Sequence, residues 1–250
     1  MTKRRGTGFS SVSISWMFPN LLTISGLISG LTGLRFAMEG QFNFAIIMIT
    51  LAALFDGLDG RMARMLKAES AFGAALDSLT DAIVFGIVPA LVLYLWALED
   101  AGRIAWASTL FYAVCIVLRL ARFDSELPDK PDYAKGFFVG IPAPAAAFLV
   151  LTPVVLELQF DAPFLRDAEF VAATLILIGA GAVSILPTPN VKKLKVPVHM
   201  VLPVLAMVAL LGGALVIQPW LVYITMAGLY ILALPFALVS YLMKRKKANS

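Results

Sequence analysis

The hydrophobic residues of this chain are grouped into eight long runs, separated by short breaks that are polar or contain proline and glycine. Each run is close to the roughly 20 residues that an α-helix needs to cross a bilayer. The runs cover residues 20–38, 42–66, 72–98, 104–121, 138–157, 168–187, 198–217 and 220–242. The pattern predicts an all-α, polytopic transmembrane helical bundle with eight spans.

The composition agrees with a membrane protein and excludes several other classes. Of the 250 residues, 60% are hydrophobic and 14% are charged, whereas soluble domains have about 45–50% and about 25%. A single soluble core of this size cannot bury so much apolar surface. A soluble enzyme and a disordered chain are therefore excluded, and the single cysteine, Cys115, excludes a disulfide scaffold. The net charge of +4 is too dispersed to predict a nucleic-acid partner.

The basic residues fall mainly in alternate breaks between the runs. One side of the predicted bundle receives 17 of the 20: Lys3, Arg4, Arg5, Arg61, Arg64, Lys67, Arg119, Arg122, Lys130, Lys135, Lys192, Lys193, Lys195, Lys244, Arg245, Lys246 and Lys247. The opposite side receives Arg103 and Arg166, and Arg35 lies near the end of the first run. Because cytoplasmic loops are enriched in Lys and Arg, both termini are predicted to be cytoplasmic.

Four aspartates lie inside or at the border of the second and third runs, where acidic side chains are costly. A charged Asp deep in a span costs about 2.5–3.5 kcal/mol on insertion scales, so such residues are rare and usually functional. Asp56 and Asp59 are spaced i,i+3, and Asp77 and Asp81 are spaced i,i+4, so each pair shares a helix face. A short connection joins the two runs, and we expect the two pairs to face each other across one seam.

Carboxylates clustered in this way favour a site for hard divalent cations. Oxygen ligands suit Mg²⁺, Mn²⁺ or Ca²⁺, and two such cations would balance four negative charges. Zinc is disfavoured because His199 and Cys115 are the only His and Cys in the chain. The pattern therefore predicts a binuclear site of the kind used for phosphoryl-group displacement.

Small and basic residues surround the predicted metal site. The small residues, which are Gly57, Gly60, Ala63 and Gly73, would let a ligand or a neighbouring helix approach the backbone closely. Arg61, Arg64 and Lys67 lie at the cytoplasmic end, where a phosphate-rich head group would enter. Each set has a second interpretation, since small residues are common packing positions and basic residues at this end also satisfy the positive-inside rule.

Eight of these residues form a motif with fixed spacing: Asp56, Asp59, Gly60, Ala63, Arg64, Gly73, Asp77 and Asp81. The motif resembles, at every position, the signature of the CDP-alcohol phosphotransferase family. The resemblance implies a membrane-integral homodimer with a six-helix catalytic core. It also implies transfer of a substituted phosphate from a CDP-linked donor to an alcohol, with release of CMP.

The resemblance further implies a role for each motif residue. The four aspartates would bind two divalent cations, and Asp81 would also be the general base. Gly60, Ala63, Arg64 and Gly73 would contact the CDP group. Asn20 and Thr23, which open the first run, resemble a second nucleotide-binding element of the family.

The sequence around the motif is most similar to the membrane-integral phosphatidylserine synthase branch. The similar stretches are residues 18–30, 72–90, 119–123 and 137–147. Two positions depart from that branch: Asp124 stands where Asn is expected, and 184–193 lacks an expected arginine. The resemblance implies CDP-diacylglycerol as donor and L-serine as acceptor. We divide the chain into a basic N-terminal tail at 1–19 with a candidate interfacial helix, a six-span catalytic core at 20–190, and two additional spans with a basic tail at 191–250.

Arg119 and Arg122 are spaced i,i+3 and are candidates, with Lys135, for binding the serine carboxylate or a lipid phosphate. Glycerol-phosphate, inositol, inositol-phosphate or choline are alternative acceptors for the same chemistry. A cation transporter with an intramembrane Asp site is the alternative from another class. Inverted repeats would favour a transporter, and the sequence contains none that we can identify.

Overall fold

A computed structural model describes residues 14–125, 137–189 and 201–248, which are helical apart from one two-stranded ribbon. Eight helices cover the eight hydrophobic runs. They are α1 (Ile14–Met38), α2 (Phe42–Met65), α3 (Ala71–Leu98), α4 (Gly102–Ser125), α5 (Ala143–Phe160), α6 (Ala168–Val183), α7 (Val201–Ile217) and α8 (Pro219–Ala248). The all-α prediction is therefore confirmed for the described residues.

Six of these helices are long and apolar enough to cross a membrane, namely α1, α2, α3, α4, α5 and α8. Helix α6 has 16 residues and α7 has 17, fewer than the runs 168–187 and 198–217 had suggested. Helix α6 ends at Val183 because the chain then turns extended toward Pro187 and Pro189, which cannot donate backbone hydrogen bonds. The predicted count of eight spans therefore stays a prediction.

A short antiparallel ribbon joins two parts of the chain that are far apart in sequence. Strand β1 (Phe137–Val139) pairs with β2 (Pro187–Pro189), with Phe138 opposite Thr188. Gly140 follows β1 with φ +73°, and a Cβ there would collide with the carbonyl oxygen of Ala182. The fifth run was predicted to be a helix from residue 138, and this start is wrong because β1 and Pro142 delay α5 to Ala143.

The core is built around α3 and the pair formed by α1 and α2. Helices α1 and α2 pack along much of their length, and glycines allow the close approach. A Cβ on Gly33 would lie 3.0 Å from the Ala45 carbonyl oxygen of α2, and one on Gly30 would lie 2.8 Å from Val84 of α3. These contacts hold the first three helices together and so position the acidic residues that α2 and α3 carry.

Candidate metal centre and adjoining cleft

The four aspartates come together from α2 and α3, as their spacing predicted. One carboxylate oxygen each from Asp56, Asp59 and Asp77 lies within 4.8 Å of the other two. The Asp81 carboxyl contacts that of Asp56, and all four side chains line one small cavity. Three acidic oxygens this close together can hold a metal ion, and the fourth carboxyl adjoins them.

The start of α3 is fixed by a helix cap, which sets where its two aspartates lie. The Ser70 side chain accepts a hydrogen bond of 3.0 Å from the Gly73 backbone N–H, so it satisfies a donor that the first turn leaves unpaired. Asp77 and Asp81 then follow on one face of the α-helical segment Ala71–Asp81. The cap therefore contributes to the register of the metal centre.

A π-helical turn, Ala82–Ile87, begins directly after Asp81. Such turns leave a carbonyl group without its regular helical partner and are frequent near functional sites. Here the Tyr112 hydroxyl of α4 donates a 3.0 Å hydrogen bond to the Phe85 carbonyl oxygen. Tyr112 is fully buried and Phe85 lines the acidic cavity, so α4 supports the wall of the cavity from outside.

Helix α1 contributes to the site through Thr23. The Thr23 hydroxyl donates a 2.6 Å hydrogen bond to Oδ2 of Asp59, and its own helix offers the Pro19 carbonyl oxygen at 3.2 Å. Asp59 is only 4% exposed, so the orientation of its carboxylate depends on this contact. Thr23 was predicted as a nucleotide contact, and the structure places it as a direct partner of a metal-ligand candidate.

The donor set of the cavity fits a hard divalent cation. All four convergent side chains present carboxylate oxygens, which Mg²⁺, Mn²⁺ and Ca²⁺ prefer. Cys115 lies on α4 and is not among the residues that line the cavity, so the soft ligand that zinc often takes is not supplied there. The chemistry of the described site agrees with the predicted class of cation.

A larger cleft of about 290 Å³ opens beside the cavity and shares Thr23, Asp59 and Asp77 with it. All six residues that the resemblance assigned to the CDP group line this cleft: Asn20, Thr23, Gly60, Ala63, Arg64 and Gly73. They come from α1, α2 and the start of α3. The structure therefore brings the predicted nucleotide residues together next to the four carboxylates.

The glycine at position 73 lies in a tightly packed part of this cleft. A Cβ there would lie 3.0 Å from Oδ1 of Asn20 and 3.1 Å from Oγ of Ser70. At Gly60 a Cβ would lie 3.6 Å from the Arg64 guanidinium, which is ordinary contact. Gly57 has open space around it, so the small residues of this region differ in how strictly they are needed.

Sequence reasoning did not identify several residues of the cleft and the cavity. Pro19, Ala68, Glu69, Ser70 and Ala74 also line the cleft. The Ser70-x-x-Gly73 spacing at the start of an apolar run was a usable signal, since Ser is a preferred N-cap residue. In the cavity, the unpredicted walls are Gly26, Ala52, Thr80, Val84 and Phe85.

Of the basic candidates among the described residues, only Arg64 is among those that line the cleft. Arg64 lines the cleft, whereas Arg61 and Lys67 are exposed and are not among its lining residues. Arg119 and Arg122 lie in the last two turns of α4, and neither is among the lining residues of the cavity or the cleft. Lys135 lies outside the described residues, as do Lys130 and the cluster at 192–195.

Arg119 instead lies near residues of the ribbon and the last helix. Tyr230 of α8 is close to both Arg119 and Thr188, and the Thr188 hydroxyl donates a 2.9 Å hydrogen bond to the Gly140 carbonyl oxygen. Position in the sequence gave no sign that α8 reaches this arginine, because more than 100 residues separate Arg119 from Tyr230.

Comparison with known proteins agrees with the family resemblance that the motif indicated. The profile of the family described as CDP-alcohol phosphatidyltransferase matches residues 16–186. A protein from Mycobacterium leprae named CDP-diacylglycerol–serine O-phosphatidyltransferase is 40% identical over 224 residues, which is 89% of this chain and 74% of the relative. Proteins of the same name from Mycobacterium tuberculosis and Helicobacter pylori are 39% and 35% identical, over 90% and 72% of this chain and 79% and 75% of the relatives.

Proposed function

This chain belongs to the CDP-alcohol phosphatidyltransferase family, and on that premise we propose that it transfers the phosphatidyl group of CDP-diacylglycerol to the hydroxyl of L-serine. The products are phosphatidylserine and CMP. One observation carries the proposal: the four aspartates line a cavity that adjoins a cleft lined by all six nucleotide candidates. The relatives named as serine phosphatidyltransferases support serine as the acceptor.

Asp56, Asp59, Asp77 and Asp81 would hold two divalent cations, with Mg²⁺ or Mn²⁺ as the working ions and Ca²⁺ as an ion that the same oxygens can bind. The cations, when bound, neutralise charge on the pyrophosphate as the bond to the leaving group breaks. The part played by Thr23 is to hold the Asp59 carboxylate in one orientation, through the 2.6 Å hydrogen bond. A residue that hydrogen-bonds to a metal-ligating carboxylate commonly fixes its orientation and affects the affinity for the metal.

In the reaction, Asp81 accepts the proton of the serine hydroxyl. The hydroxyl oxygen forms a bond to the phosphorus that carries diacylglycerol, and the bond from this phosphorus to the CMP oxygen breaks. CMP then leaves with the electron pair of that bond. Positioning and electrostatic stabilisation supply most of the rate in phosphoryl transfer, which suits a site made mainly of carboxylates and close-packed glycines.

The nucleotide end of the donor occupies the cleft. Asn20, Gly60, Ala63, Arg64 and Gly73 contact the CDP group, and the Arg64 guanidinium offers charge-assisted hydrogen bonds to its phosphates. A Cβ at position 73 would press on the Asn20 and Ser70 side chains, so the glycine relieves crowding in this part of the cleft. Arg119, Arg122 and Lys135 are proposed to bind the serine carboxylate or the phosphate of the lipid.

We also propose a topology for the protein in the membrane. Helices α6 and α7 complete eight spans, both termini face the cytoplasm, and the cleft opens on the cytoplasmic side. The distribution of 17 of 20 basic residues on one side supports this orientation. Residues 20–190 form the catalytic core, residues 191–250 add two helices and a basic tail, and the protein assembles as a homodimer.

The test is a panel of acceptors with one donor. Purified protein in detergent is mixed with CDP-diacylglycerol and Mg²⁺ or Mn²⁺, and CMP release is measured with serine, glycerol-phosphate, inositol, inositol-phosphate or choline. We expect serine to give the highest rate and EDTA to abolish it. Faster release with another acceptor would overturn the assignment of serine, and no release with any acceptor would overturn the enzyme assignment.

A further inference from the structure

One polar group in the acidic cavity has no role in the mechanism above. Thr80 lies between Asp77 and Asp81 in sequence and lines the same cavity as the four aspartates. Its side chain is only 6% exposed, and its hydroxyl oxygen has no hydrogen-bond partner among the described residues. A buried hydroxyl without a partner lowers stability, so its presence at this position needs an explanation.

The other helical threonines of the described residues show what a hydroxyl normally does in this fold. Each has its hydroxyl oxygen 2.6 to 3.2 Å from the backbone carbonyl oxygen four residues earlier, and the one at position 23 is also the donor in the shorter, 2.6 Å bond to Asp59. They are Thr23, Thr32, Thr50, Thr109, Thr152, Thr174 and Thr225. Thr80 lies in the regular α-helical segment Ala71–Asp81, with Leu76 four residues before it, yet it makes no such bond. Its hydroxyl is therefore not satisfied by its own helix.

The surroundings of Thr80 show which ligand its hydroxyl can serve. Apart from the aspartates, the only other polar side chain among the described residues that line the cavity is Thr23, whose hydroxyl already donates to Asp59, since Ala52, Val84 and Phe85 bring no side-chain polar atom. Thr80 lines the cavity but is not among the residues that line the cleft. A ligand that enters the acidic cavity therefore meets Thr80, whereas a nucleotide confined to the cleft does not.

We propose that Thr80 is a fifth oxygen donor of the divalent-cation centre, alongside the four aspartates. The inference rests on the proposed function, because it assumes that this cavity binds the cations. A neutral hydroxyl oxygen is a suitable ligand for a hard cation, either directly or through a water that the cation holds. It adds an oxygen to the site without adding a fifth negative charge.

The proposal predicts opposite effects on the metal-free and the metal-loaded protein. Without metal, Thr80→Val removes a hydroxyl that has no partner and keeps the volume, so the protein becomes at least as stable as the wild type. With metal, the variant loses one oxygen of the centre. A purely structural role for Thr80 would instead lower the stability of both states equally.

The experiment compares Thr80→Val and Thr80→Ser with Thr109→Val. Thr109 is 2% exposed and its hydroxyl donates to the Ala105 carbonyl oxygen, so it is a matched buried helical threonine distant in sequence from the site. Mn²⁺ affinity is measured on each full-length protein from the electron paramagnetic resonance signal of free Mn²⁺. Thermal unfolding is followed in EDTA and in saturating Mn²⁺.

For Thr80→Val we expect Mn²⁺ affinity to fall about tenfold, with the midpoint of unfolding in EDTA unchanged or raised. Thr80→Ser should keep wild-type affinity within about threefold, since it keeps the hydroxyl, and Thr109→Val should keep it too. Wild-type affinity in Thr80→Val, or equal destabilisation with and without Mn²⁺, would overturn the role of Thr80 alone. Absence of Mn²⁺ binding by the wild-type protein would instead overturn the metal centre of the proposed function.

Discussion

Buried or half-buried acidic residues lie near both ends of α3. At one end the carboxylate forms an ion pair with an arginine of the chain, and at the other end several carboxylates converge on one cavity. Near the C-terminal end of the helix, the Glu157 carboxylate of α5 accepts a 3.1 Å hydrogen bond from Trp96 Nε1 and forms an ion pair with Arg166, whose Nε lies 3.2 Å from Glu157 Oε1. The Arg166 guanidinium also lies 5.5 Å from the centre of the Trp96 ring. At the other end, Asp56, Asp59 and Asp77 bring their oxygens within 4.8 Å of one another.

The difference separates a structural acid from functional acids. Glu157 is neutralised within the chain by Arg166, so it links α3, α5 and the turn Pro163–Arg166 and leaves no charge for a ligand. The aspartates converge on a shared cavity, and repulsion between carboxylates this close is relieved by a cation from solution. Carboxylates therefore have two roles in this protein. Glu157 faces an arginine and stabilises the packing of helices, whereas the aspartates face one another and are suited to bind a cation.

The largest effect is expected from removing one charge of the acidic cluster. Asp77→Asn should lower the rate of serine-dependent CMP release by more than about 100-fold. Loss of a metal ligand costs more activity than loss of a residue that only hydrogen-bonds to a ligand, which typically lowers activity roughly 10- to 100-fold. Glu157→Gln is the matched control from the other end and should keep the rate within about threefold. Equal losses in the two variants would contradict the distinction between them.

The next largest effect concerns the partner of Asp59. Thr23→Val removes the 2.6 Å hydrogen bond and should raise the Mn²⁺ concentration for half-maximal activity about 10- to 100-fold. Thr32→Val, in which the lost hydroxyl is bonded only to the Ile28 carbonyl oxygen among the described contacts, should leave this concentration unchanged. If both variants shift it alike, Thr23 acts through the stability of α1 and not through the metal centre.

Crowding the cleft should give a smaller and more selective effect. Gly73→Ala places a Cβ 3.0 Å from Oδ1 of Asn20, so the KM for CDP-diacylglycerol should rise about tenfold while the Mn²⁺ requirement changes little. Gly57→Ala has open space around it and serves as the control, with kinetics close to wild type. An unchanged KM in Gly73→Ala would place the nucleotide elsewhere.

The smallest effect is expected on stability at the Glu157 end. Glu157→Gln weakens a partly exposed ion pair, worth about 1 kcal/mol, and should lower the midpoint of thermal unfolding by about 2–4 °C. Glu169→Gln, an exposed acid in the first turn of α6, should change the midpoint less. A larger loss in Glu169→Gln would show that Glu157 is not the structural acid of this pair.

The sequence predicted those features that depend on local pattern and on the cost of burying charge. Apolar runs fixed the eight helical segments to within a few residues, and the i,i+3 and i,i+4 spacings placed the four aspartates on common faces. The β1–β2 ribbon was missed because it pairs two three-residue segments far apart in sequence, one of which contains Pro187 and Pro189. No periodicity signals such a pairing.

Features that depend on individual contacts were also beyond the sequence. In the π-helical turn after Asp81, the Phe85 carbonyl oxygen accepts a hydrogen bond from the Tyr112 hydroxyl, which comes from another helix. Thr80 is distinguished by a buried hydroxyl that has no hydrogen-bond partner among the described residues, and helix propensity does not predict this. Arg119 stays a predicted acceptor residue, and its proximity to Tyr230 of α8 could not be inferred from its spacing in the sequence.

The central claim is that the four aspartates form the divalent-cation centre of the enzyme. Crystals of the active protein grown with Mn²⁺ and measured near the manganese absorption edge test it most directly, because anomalous scattering locates each ion. We predict two manganese peaks in the cavity bounded by Asp56, Asp59, Asp77 and Asp81. An active protein whose manganese peaks all lie outside this cavity would contradict the account.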